Sequence, residues 1–324
     1  MKKSLVPAIA TVLALFGASG AQSAEQPFDT WLAEVRNEAR QKGIKDGIIA
    51  AALTGIQPIP RIIELDRSQP ESTQTFQQYM EKRVTASLVD HGRKMMTEHK
   101  AILDEVSRKY GVQSRFIVAL WGVETSFGRY TGGFKVVDAL ATLAWEGRRA
   151  EMFRDELFKA LTILNQGHTT PDAMVGSWAG AMGQSQFMPS SYLAYAVDHD
   201  GDGRRDIWQT QADVFASIAN YLSRLGWRDD ETWGRAVRLP KGFDESLVSL
   251  DVVRDMDTWR SLGVLDASGG DLPKRNLPGS VIRPRRGGDA AFLIYGNYRR
   301  LLKWNYSHFF GISVGTIADR LDMQ

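Results

Sequence analysis

The stretch Ala119-Leu-Trp-Gly-Val-Glu-Thr-Ser-Phe-Gly128 places one carboxylate, Glu124, inside an otherwise apolar helical pattern. Three large apolar residues flank it in the sequence: Trp121, Val123 and Phe127. Apolar surroundings disfavour the anion, so we expect the pKa of this carboxyl to be raised. A carboxylic acid that keeps its proton near neutral pH can donate it to a leaving oxygen. The stretch therefore predicts a helix that carries a general acid.

Periodicity alone leaves a second interpretation of Glu124 open. In that interpretation the side chain lies on the polar side of an amphipathic helix, or in an ion pair. Gly122 and Gly128 favour the catalytic interpretation. Glycine is costly inside a helix, so its presence indicates the close approach of another chain or of a ligand.

A glycine-rich stretch, Gly176-Ser-Trp-Ala-Gly-Ala-Met-Gly-Gln-Ser-Gln-Phe-Met-Pro-Ser-Ser-Tyr192, combines neutral hydrogen-bonding groups with aromatic faces. It lacks the Lys-Ser/Thr ending of a phosphate loop, which argues against nucleotide binding. Ser177 and Gln186 offer hydroxyl and amide groups, and Trp178 and Phe187 offer flat apolar faces. This mixture suits sugars, which carry hydroxyls and apolar C–H faces. A tight helix–helix contact beside a capped loop explains the same composition equally well.

The stretch Asp198-His-Asp-Gly-Asp-Gly-Arg-Arg-Asp-Ile-Trp208 matches much of the calcium-loop template. Carboxylates stand at positions 1, 3 and 5, glycine at 6 and Asp206 at 9. Position 12 is Gln209, where a bidentate Glu is expected, so we expect weak affinity unless another acid such as Asp213 substitutes. The stretch predicts a structural ion, Ca²⁺ or Na⁺, with a metal-free Asp/Gly turn as the alternative.

Composition excludes several classes of protein. The chain has 324 residues, enough for one large domain or two to three small ones. It carries 40 Lys+Arg and 38 Asp+Glu, and removing Lys2 and Lys3 with the first segment leaves 38 against 38. A neutral mature chain argues against nucleic acid as a partner. The absence of Cys excludes disulfides, thiolate nucleophiles and Cys-ligated metals.

Residues 1–24 have the order of a secretory signal: two lysines, an apolar stretch, then small residues. The apolar stretch is shorter than the roughly 20 residues that span a bilayer. An uncleaved membrane anchor is the alternative. We expect a soluble protein of the bacterial periplasm without a stable membrane anchor.

Hydrophobic periodicity predicts a mostly α chain with a small β-rich part, an α+β fold. Helical spacing covers residues 28–53, 73–106, 115–126, 152–164, 214–225 and 292–321. Short β-branched pieces at 248–253 and 280–282, among Gly, Pro and Asp clusters, predict strands.

Five blocks taken together resemble the lytic murein transglycosylases of the membrane-bound type B family, here in a soluble, secreted form. The blocks are Trp121-Gly-Val-Glu-Thr125, Asp138-Ala-Leu-Ala-Thr-Leu143, Gly176 to Tyr192, Asp198 to Trp208 and Lys303-Trp-Asn-Tyr-Ser307. The resemblance runs over nearly the whole mature chain. It implies a goose-lysozyme-like helical core with a helical wing and a small β lobe. The implied division is signal 1–24, wing 25–105, core with an EF-hand-like loop 106–235, β lobe 236–290 and a helical return 291–324.

The resemblance also implies cleavage of the MurNAc-β-1,4-GlcNAc bond of peptidoglycan glycan strands with formation of 1,6-anhydro ends. Glu124 matches the single acid/base. The implied glycan contacts are Ser177, Gln186, Tyr221, Trp304 (where a Tyr is usual) and Asn305. The implied ion ligands are Asp198, Asp200, Asp202, Arg204 through its backbone carbonyl, and Asp213.

The implied chemistry needs no cofactor and no second carboxylate, although ordinary glycosidases use two. Asp138, the acid nearest to such a role, fits better as a helix cap. Two rival functions remain open: a hydrolytic muramidase that admits water, and a non-catalytic scaffold that binds peptidoglycan or calcium. The sequence identifies no protein partner.

Overall fold

The computed structural model describes residues 26–68, 74–284 and 288–322, so the predicted signal segment lies outside the described residues. The helices are α1 (Phe28–Gln41), α2 (Asp46–Leu53), α3 (Pro60–Arg67), α4 (Phe76–Arg83), α5 (Ala86–Glu98), α6 (Lys100–Tyr110), α7 (Ser114–Thr125), α8 (Val136–Glu146), α9 (Ala150–Asn165), α10 (Pro189–Tyr195), α11 (Gln211–Arg224), α12 (Met256–Ser261), α13 (Gly296–Trp304) and α14 (His308–Asp322). The strands are β1 (Phe134–Lys135), β2 (Val175–Gly176), β3 (Gly234–Arg238), β4 (Leu265–Asp266), β5 (Ser280–Ile282) and β6 (Ala291–Ile294). The described chain is mostly helical, which confirms the predicted fold class.

Two long helical segments of the prediction are divided by breaks. The segment 28–53 forms α1 and α2, and Gly43 between them adopts a left-handed φ of 81°. The segment 73–106 forms α4, α5 and α6. The side chains of Thr75 and Thr85 accept hydrogen bonds from the third backbone N–H of α4 and α5. Each hydroxyl satisfies an N–H that has no partner within the helix, so a new helix begins there.

The described residues form two compact units. The first comprises 26–68 and 120–221, and the second comprises 74–119, 222–284 and 288–322. Helices α7 and α11 each cross from one unit to the other. The five-part division drawn from the sequence stays a prediction.

The first unit buries the faces that helical spacing predicts. In α1, Trp31, Leu32 and Val35 are all buried at a spacing of one, three and four residues. Helices α8 and α9 pack against each other, and Leu140 and Leu157 are fully buried. Burial of such side chains stabilises the unit by roughly 1.5–3 kcal/mol each.

The second unit contains a four-stranded antiparallel sheet of order β4-β3-β6-β5. The strand predicted at 280–282 is confirmed as β5. The hydrophobic core on this sheet includes the fully buried residues Trp259, Val281 and Leu293. The predicted β-rich part of the chain is therefore present.

Two predicted elements in this region are wrong. The segment 248–253 is not a strand but a series of turns, in which the Ser249 hydroxyl accepts a hydrogen bond from the Asp251 N–H at 3.1 Å. Such side-chain bonds compete with a strand ladder. The helix predicted from residue 292 begins only at Gly296, because Ala291–Ile294 is β6, the strand between β3 and β5. All four residues of β6 are buried, so the strand shows no alternation for a sequence pattern to reveal.

Among the residues that the structure describes, no helix has the length and apolar character needed to cross a bilayer.

Candidate functional site

Glu124 is the penultimate residue of α7 and belongs to the first unit. Its side chain is partly buried, while Trp121, Val123 and Phe127 around it are 1%, 7% and 7% exposed. The three apolar neighbours of Glu124 in the sequence are thus buried, and the apolar setting of its carboxyl stays a prediction. After Thr125 the chain enters the left-handed region, with φ of 49° at Ser126 and 63° at Phe127. Left-handed backbone is uncommon for residues other than glycine, and its strain concentrates at functional sites.

The two glycines of this stretch make room for other parts of the same chain. A Cβ on Gly122 would lie 2.8 Å from the Phe127 ring, which folds back over α7 and meets Trp121 edge to face at 5.4 Å. A Cβ on Gly128 would lie 2.4 Å from Oε1 of Gln184, and Gly128 has a φ of 78°. The close approach that these glycines predict is real, and both partners belong to the chain itself.

Tyr221 of α11 lies close enough to Glu124 to feel its charge. Burial first, then the charges of Tyr195 and Glu124, raise the pKa of Tyr221 to about 12. Tyr221 is 8% exposed, and its ring lies 4.2 Å from that of Tyr195 and 5.6 Å from that of Phe187. The structure therefore brings the predicted acid and the predicted aromatic residue together within the first unit.

The glycine-rich stretch forms a tight folded loop after β2. Ser177 is 2% exposed, and its hydroxyl accepts a hydrogen bond from the Ala181 N–H at 3.0 Å. A Cβ on Gly176 would lie 2.1 Å from the carbonyl oxygen of Ala181, so the fold of this loop requires glycine. The Ser177 hydroxyl shapes the loop and retains its own proton for donation.

Gln186 combines a strained backbone with an unsatisfied side-chain atom. Its φ is 52°, and its amide Nε2 donates to the carbonyl oxygens of Thr131 at 3.0 Å and Gly183 at 2.9 Å. Its Oε1 is buried and has no hydrogen-bond partner among the described residues. A buried acceptor without a partner costs about 1–3 kcal/mol. The glycan contact predicted for Gln186 stays a prediction.

Trp304 and Asn305 belong to the second unit. Trp304 ends α13 and is partly buried, and Asn305 follows it in extended backbone and is 8% exposed. The glycan contacts predicted for Trp304 and Asn305 stay a prediction.

The predicted ion loop brings three carboxylates together. Oxygens of Asp198, Asp200 and Asp202 lie within 4.8 Å of one another, all on exposed side chains. Gly201 and Gly203 adopt left-handed φ values of 80° and 88°, and their N–H groups donate to Asp198 at 2.7 and 2.8 Å. The sequence spacing thus predicts the convergence of these three acids correctly.

The other two predicted ion ligands have distinct contacts. Asp213 is fully buried, and its carboxylate accepts the N–H groups of His199 and Asp206, both at 2.7 Å. Burial raises the pKa of Asp213, and these backbone hydrogen bonds oppose the rise. The guanidinium of Arg204 pairs with Asp202 at 2.9 Å. Gln209 is exposed, and its N–H donates to Asp206 at 3.0 Å.

Asp138 is not the helix cap that the sequence suggested. Helix α8 begins at Val136 with Lys135 as its N-cap residue, and Asp138 lies in the first turn. Burial raises its pKa, opposed chiefly by the charge of Lys135. An acid in a first turn is stabilised by the helix dipole, which accounts for its place there.

Sequence reasoning missed the positions of Tyr195 and Glu156. The ring of Tyr195 in α10 contacts that of Tyr221 in α11 at a tilt of 49°, a contact between helices that no local spacing reveals. Glu156 is 8% exposed in α9 and accepts the Ser190 N–H at 2.8 Å, at the start of α10. The position of Glu156 within the apolar face of α9 could have indicated that its side chain is buried.

The chain is similar to known proteins over most of its length. A family described as "Transglycosylase SLT domain" matches residues 27–319. Membrane-bound lytic murein transglycosylase B of Escherichia coli (strain K12) is 40% identical over 171 residues, 51% of this chain and 47% of that protein. The chain thus spans about half the length of this curated relative.

Two solved structures extend the comparison. SltB3 from Pseudomonas aeruginosa in complex with NAG-NAM-pentapeptide superposes with a TM-score of 0.89 at 41% identity, covering 92% of this chain and 80% of that chain. The Escherichia coli lytic transglycosylase Slt35 in complex with calcium superposes with a TM-score of 0.77 at 26% identity, covering 92% and 94%. The chain has the lysozyme-like fold of these enzymes, as predicted.

Proposed function

The chain belongs to the transglycosylase SLT domain family, and from this we propose that it cleaves the MurNAc-β-1,4-GlcNAc bond of peptidoglycan without water, leaving 1,6-anhydro ends. The observation that carries the proposal is the setting of Glu124: near the end of a helix, among buried aromatic residues, beside Tyr221. The ligand of SltB3, a NAG-NAM-pentapeptide, supports a peptidoglycan strand as the substrate.

Glu124 acts first as an acid and then as a base. In its protonated form it donates to the glycosidic oxygen, and positive charge develops at C1 of MurNAc as the bond breaks. The substrate's own N-acetyl group assists at C1. The ionised Glu124 then takes the proton of the C6 hydroxyl, whose oxygen attacks C1 and closes the anhydro ring. An intramolecular nucleophile gains up to roughly 7–11 kcal/mol from proximity.

Three buried acids of the first unit are engaged in contacts of the fold and are therefore not proposed as a second catalytic carboxylate. Asp66 is held by Arg148 and Arg149, Glu156 accepts a backbone N–H of α10, and Asp213 accepts two backbone N–H groups. Each of these carboxylates is committed to the fold. A hydrolytic glycosidase needs a second carboxyl group at the reacting carbon.

Glycan contacts are proposed for the hydrogen-bonding and aromatic groups of the first unit. The unpartnered Oε1 of Gln186 would accept a sugar hydroxyl, and the Ser177 hydroxyl would donate to a sugar oxygen. The ring of Tyr221 offers a flat face for the apolar side of a sugar. Trp304 and Asn305 stay proposed glycan contacts of the second unit.

Digestion of purified peptidoglycan with the wild-type chain and with Glu124→Gln tests the proposal. We expect anhydro-muropeptides by mass spectrometry from the wild type and a loss of activity of about 10²–10⁴-fold in the variant. Glu151→Gln, which changes an exposed glutamate of α9, is the matched control and should retain full activity. Products with only hydrated reducing ends would indicate a muramidase, and binding without cleavage would indicate a scaffold.

The ion loop, residues 198–208, is called the carboxylate loop from here on. It is proposed to bind Ca²⁺ as a structural ion. Three converging carboxylates form the hard oxygen donor set that Ca²⁺ prefers, so the residues fit the ion. Asp198, Asp200, Asp202 and the backbone carbonyl of Arg204 are the proposed ligands. Asp213 is the fifth proposed ligand, because a carboxylate oxygen that accepts one backbone N–H keeps a second lone pair for an ion. The calcium complex of Slt35 supports the choice of ion, and Na⁺ is the outcome that would contradict it.

The signal-like order of residues 1–24 supports a periplasmic location. Cell fractionation with N-terminal sequencing of the mature chain tests it, and recovery of an uncleaved chain with the membranes would contradict it.

A further inference from the structure

Gln184 hydrogen-bonds through all four kinds of polar group that it carries. Its Oε1 accepts the indole N–H of Trp121 at 2.8 Å, and its backbone carbonyl accepts the Thr125 hydroxyl at 3.0 Å. Its Nε2 donates to the carbonyl of Trp208 at 2.8 Å, and its N–H donates to the carbonyl of Ile207 at 2.8 Å. The residue is 5% exposed. Two bonds therefore hold α7 and two hold the end of the carboxylate loop.

In α7, the two residues that bond to Gln184 lie on either side of Glu124 in the sequence. Trp121 lies one turn before the acid, and Thr125 follows it directly. The Thr125 hydroxyl also accepts the Gly128 N–H at 3.0 Å, so the same contact fixes the left-handed turn that ends the helix. A shift of Gln184 would therefore move the helix end that carries Glu124.

On the side of the loop, the partners of Gln184 continue into the carboxylates. The N–H of Trp208 donates to Asp206 at 2.9 Å, and the N–H of Asp206 donates to Asp213 at 2.7 Å. Gly183 has a φ of 62°, and a Cβ there would lie 2.6 Å from the carbonyl oxygen of Ile207. The backbone at Gly183 is therefore in direct contact with the backbone at Ile207. A continuous run of hydrogen bonds thus joins Gln184 to Asp206 and Asp213.

We propose that Gln184 is a positioning residue that couples the order of the carboxylate loop to the placement of Glu124. This inference rests on the proposed function for its catalytic consequence. An amide of this length offers both an acceptor to Trp121 and a donor to Trp208 at neutral pH, where a carboxylate offers acceptors alone. Gln184→Glu keeps the acceptor and loses the donor, and its anion faces a carbonyl oxygen.

The second unit provides a matched control in Gln113. Its Oε1 accepts the indole N–H of Trp227 at 2.8 Å, and its Nε2 donates to the carbonyls of Asp229 and Glu231. Gln113→Glu therefore breaks the same kind of bridge, from an indole to backbone carbonyls, without touching Trp121 or Trp208. The loss of stability in Gln113→Glu measures what breaking such a bridge does when α7 near Glu124 is not involved.

Steady-state kinetics on soluble glycan strands test the catalytic consequence. We expect Gln184→Glu to lower kcat by about 10²-fold, the loss that a displacement of about 1 Å can cause, with KM within about threefold. Gln113→Glu should lower Tm by a smaller amount, since Gln113 is only partly buried, and should leave kcat within about twofold. An equal loss of kcat in both variants would overturn the proposal. A protonated carboxyl can make both of the amide's bonds, so the kcat of Gln184→Glu relative to wild type should rise as the pH falls.

Hydrogen exchange gives a second test that needs no turnover. With Ca²⁺ in excess, exchange in residues 120–128 should slow in the wild type and in Gln113→Glu, and should stay unchanged in Gln184→Glu. Slowing in all three proteins, or in none, would overturn the coupling. If the coupling appears while the wild type makes no anhydro products, the proposed function fails and the link from loop to helix stands.

Discussion

Glu124 shows how much one side chain depends on its neighbours for a role in chemistry. The burial of its neighbours Trp121, Val123 and Phe127 could be predicted, since all three are large apolar residues within four positions of it. The partners that hold the helix could not be predicted, because Gln184 and Tyr221 come from distant parts of the chain. The raised pKa expected for Glu124 stays a prediction.

At position 209, a single substitution should strengthen ion binding. Gln209→Glu supplies the carboxylate that the twelfth position of a calcium loop normally carries, so we expect Ca²⁺ affinity to rise about tenfold. Calorimetric titration with Ca²⁺ measures the change. Gln166→Glu, which adds the same charge at an exposed position of the first unit, should leave the affinity unchanged. Equal gains in the two variants would show a general charge effect and not ligation.

At the scale of elements, α3 is joined to the segment between α8 and α9 by ion pairs between a buried carboxylate and two partly exposed arginines. Asp66 is 1% exposed, and its carboxylate pairs with Arg148 at 2.7 Å and with Arg149. Burial by itself raises the pKa of Asp66, but hydrogen bonds and charge from the two arginines outweigh it and hold the pKa below its ordinary value. Each guanidinium stays charged at all accessible pH values.

These ion pairs make stability depend on pH in a defined direction. Because the folded pKa of Asp66 is depressed, its contribution is complete above the unfolded value of about 3.9 and is lost as the pH falls below it. We expect Asp66→Asn to lower the free energy of unfolding at pH 7 by about 1–2 kcal/mol, since it weakens charged hydrogen bonds to two arginines whose side chains are 44% and 22% exposed. Urea denaturation between pH 7 and pH 3 measures both effects, and the loss of stability with acid should be smaller in the variant. An unchanged pH dependence would remove Asp66 from this role.

The elements also show where sequence patterns stop being informative. The buried face of α1 followed directly from the spacing of Trp31, Leu32 and Val35. Strand β6 did not, because burial on both faces leaves Ala291–Ile294 uniformly apolar, a pattern that a helix shares. Its identity depends on pairing with β3 and β5, whose residues are distant in the sequence.

For the molecule as a whole, charge balance predicts a weak response to salt. Without residues 1–24, Lys+Arg and Asp+Glu are equal at 38 each, since 40 less Lys2 and Lys3 leaves 38. A chain that recognises uncharged sugar rings should lose less than about twofold in kcat/KM between about 50 and 200 mM salt, in contrast to the 10³–10⁵-fold loss of affinity for a protein that binds phosphates. Turnover of glycan strands across this range is the measurement. A steep loss would indicate that anionic groups of the substrate dominate recognition.

The buried carboxylate of Asp213 has a consequence for the carboxylate loop, whose backbone it binds. Because it fastens the backbone at His199 and Asp206, that part of the loop holds its curvature by bonds internal to the protein. Ordering one residue of a flexible chain costs roughly 1–2 kcal/mol, and a cation that meets a preshaped cradle avoids much of this entropic penalty. An ordered loop with fewer charged ligands can then bind an ion as tightly as a flexible loop with more of them.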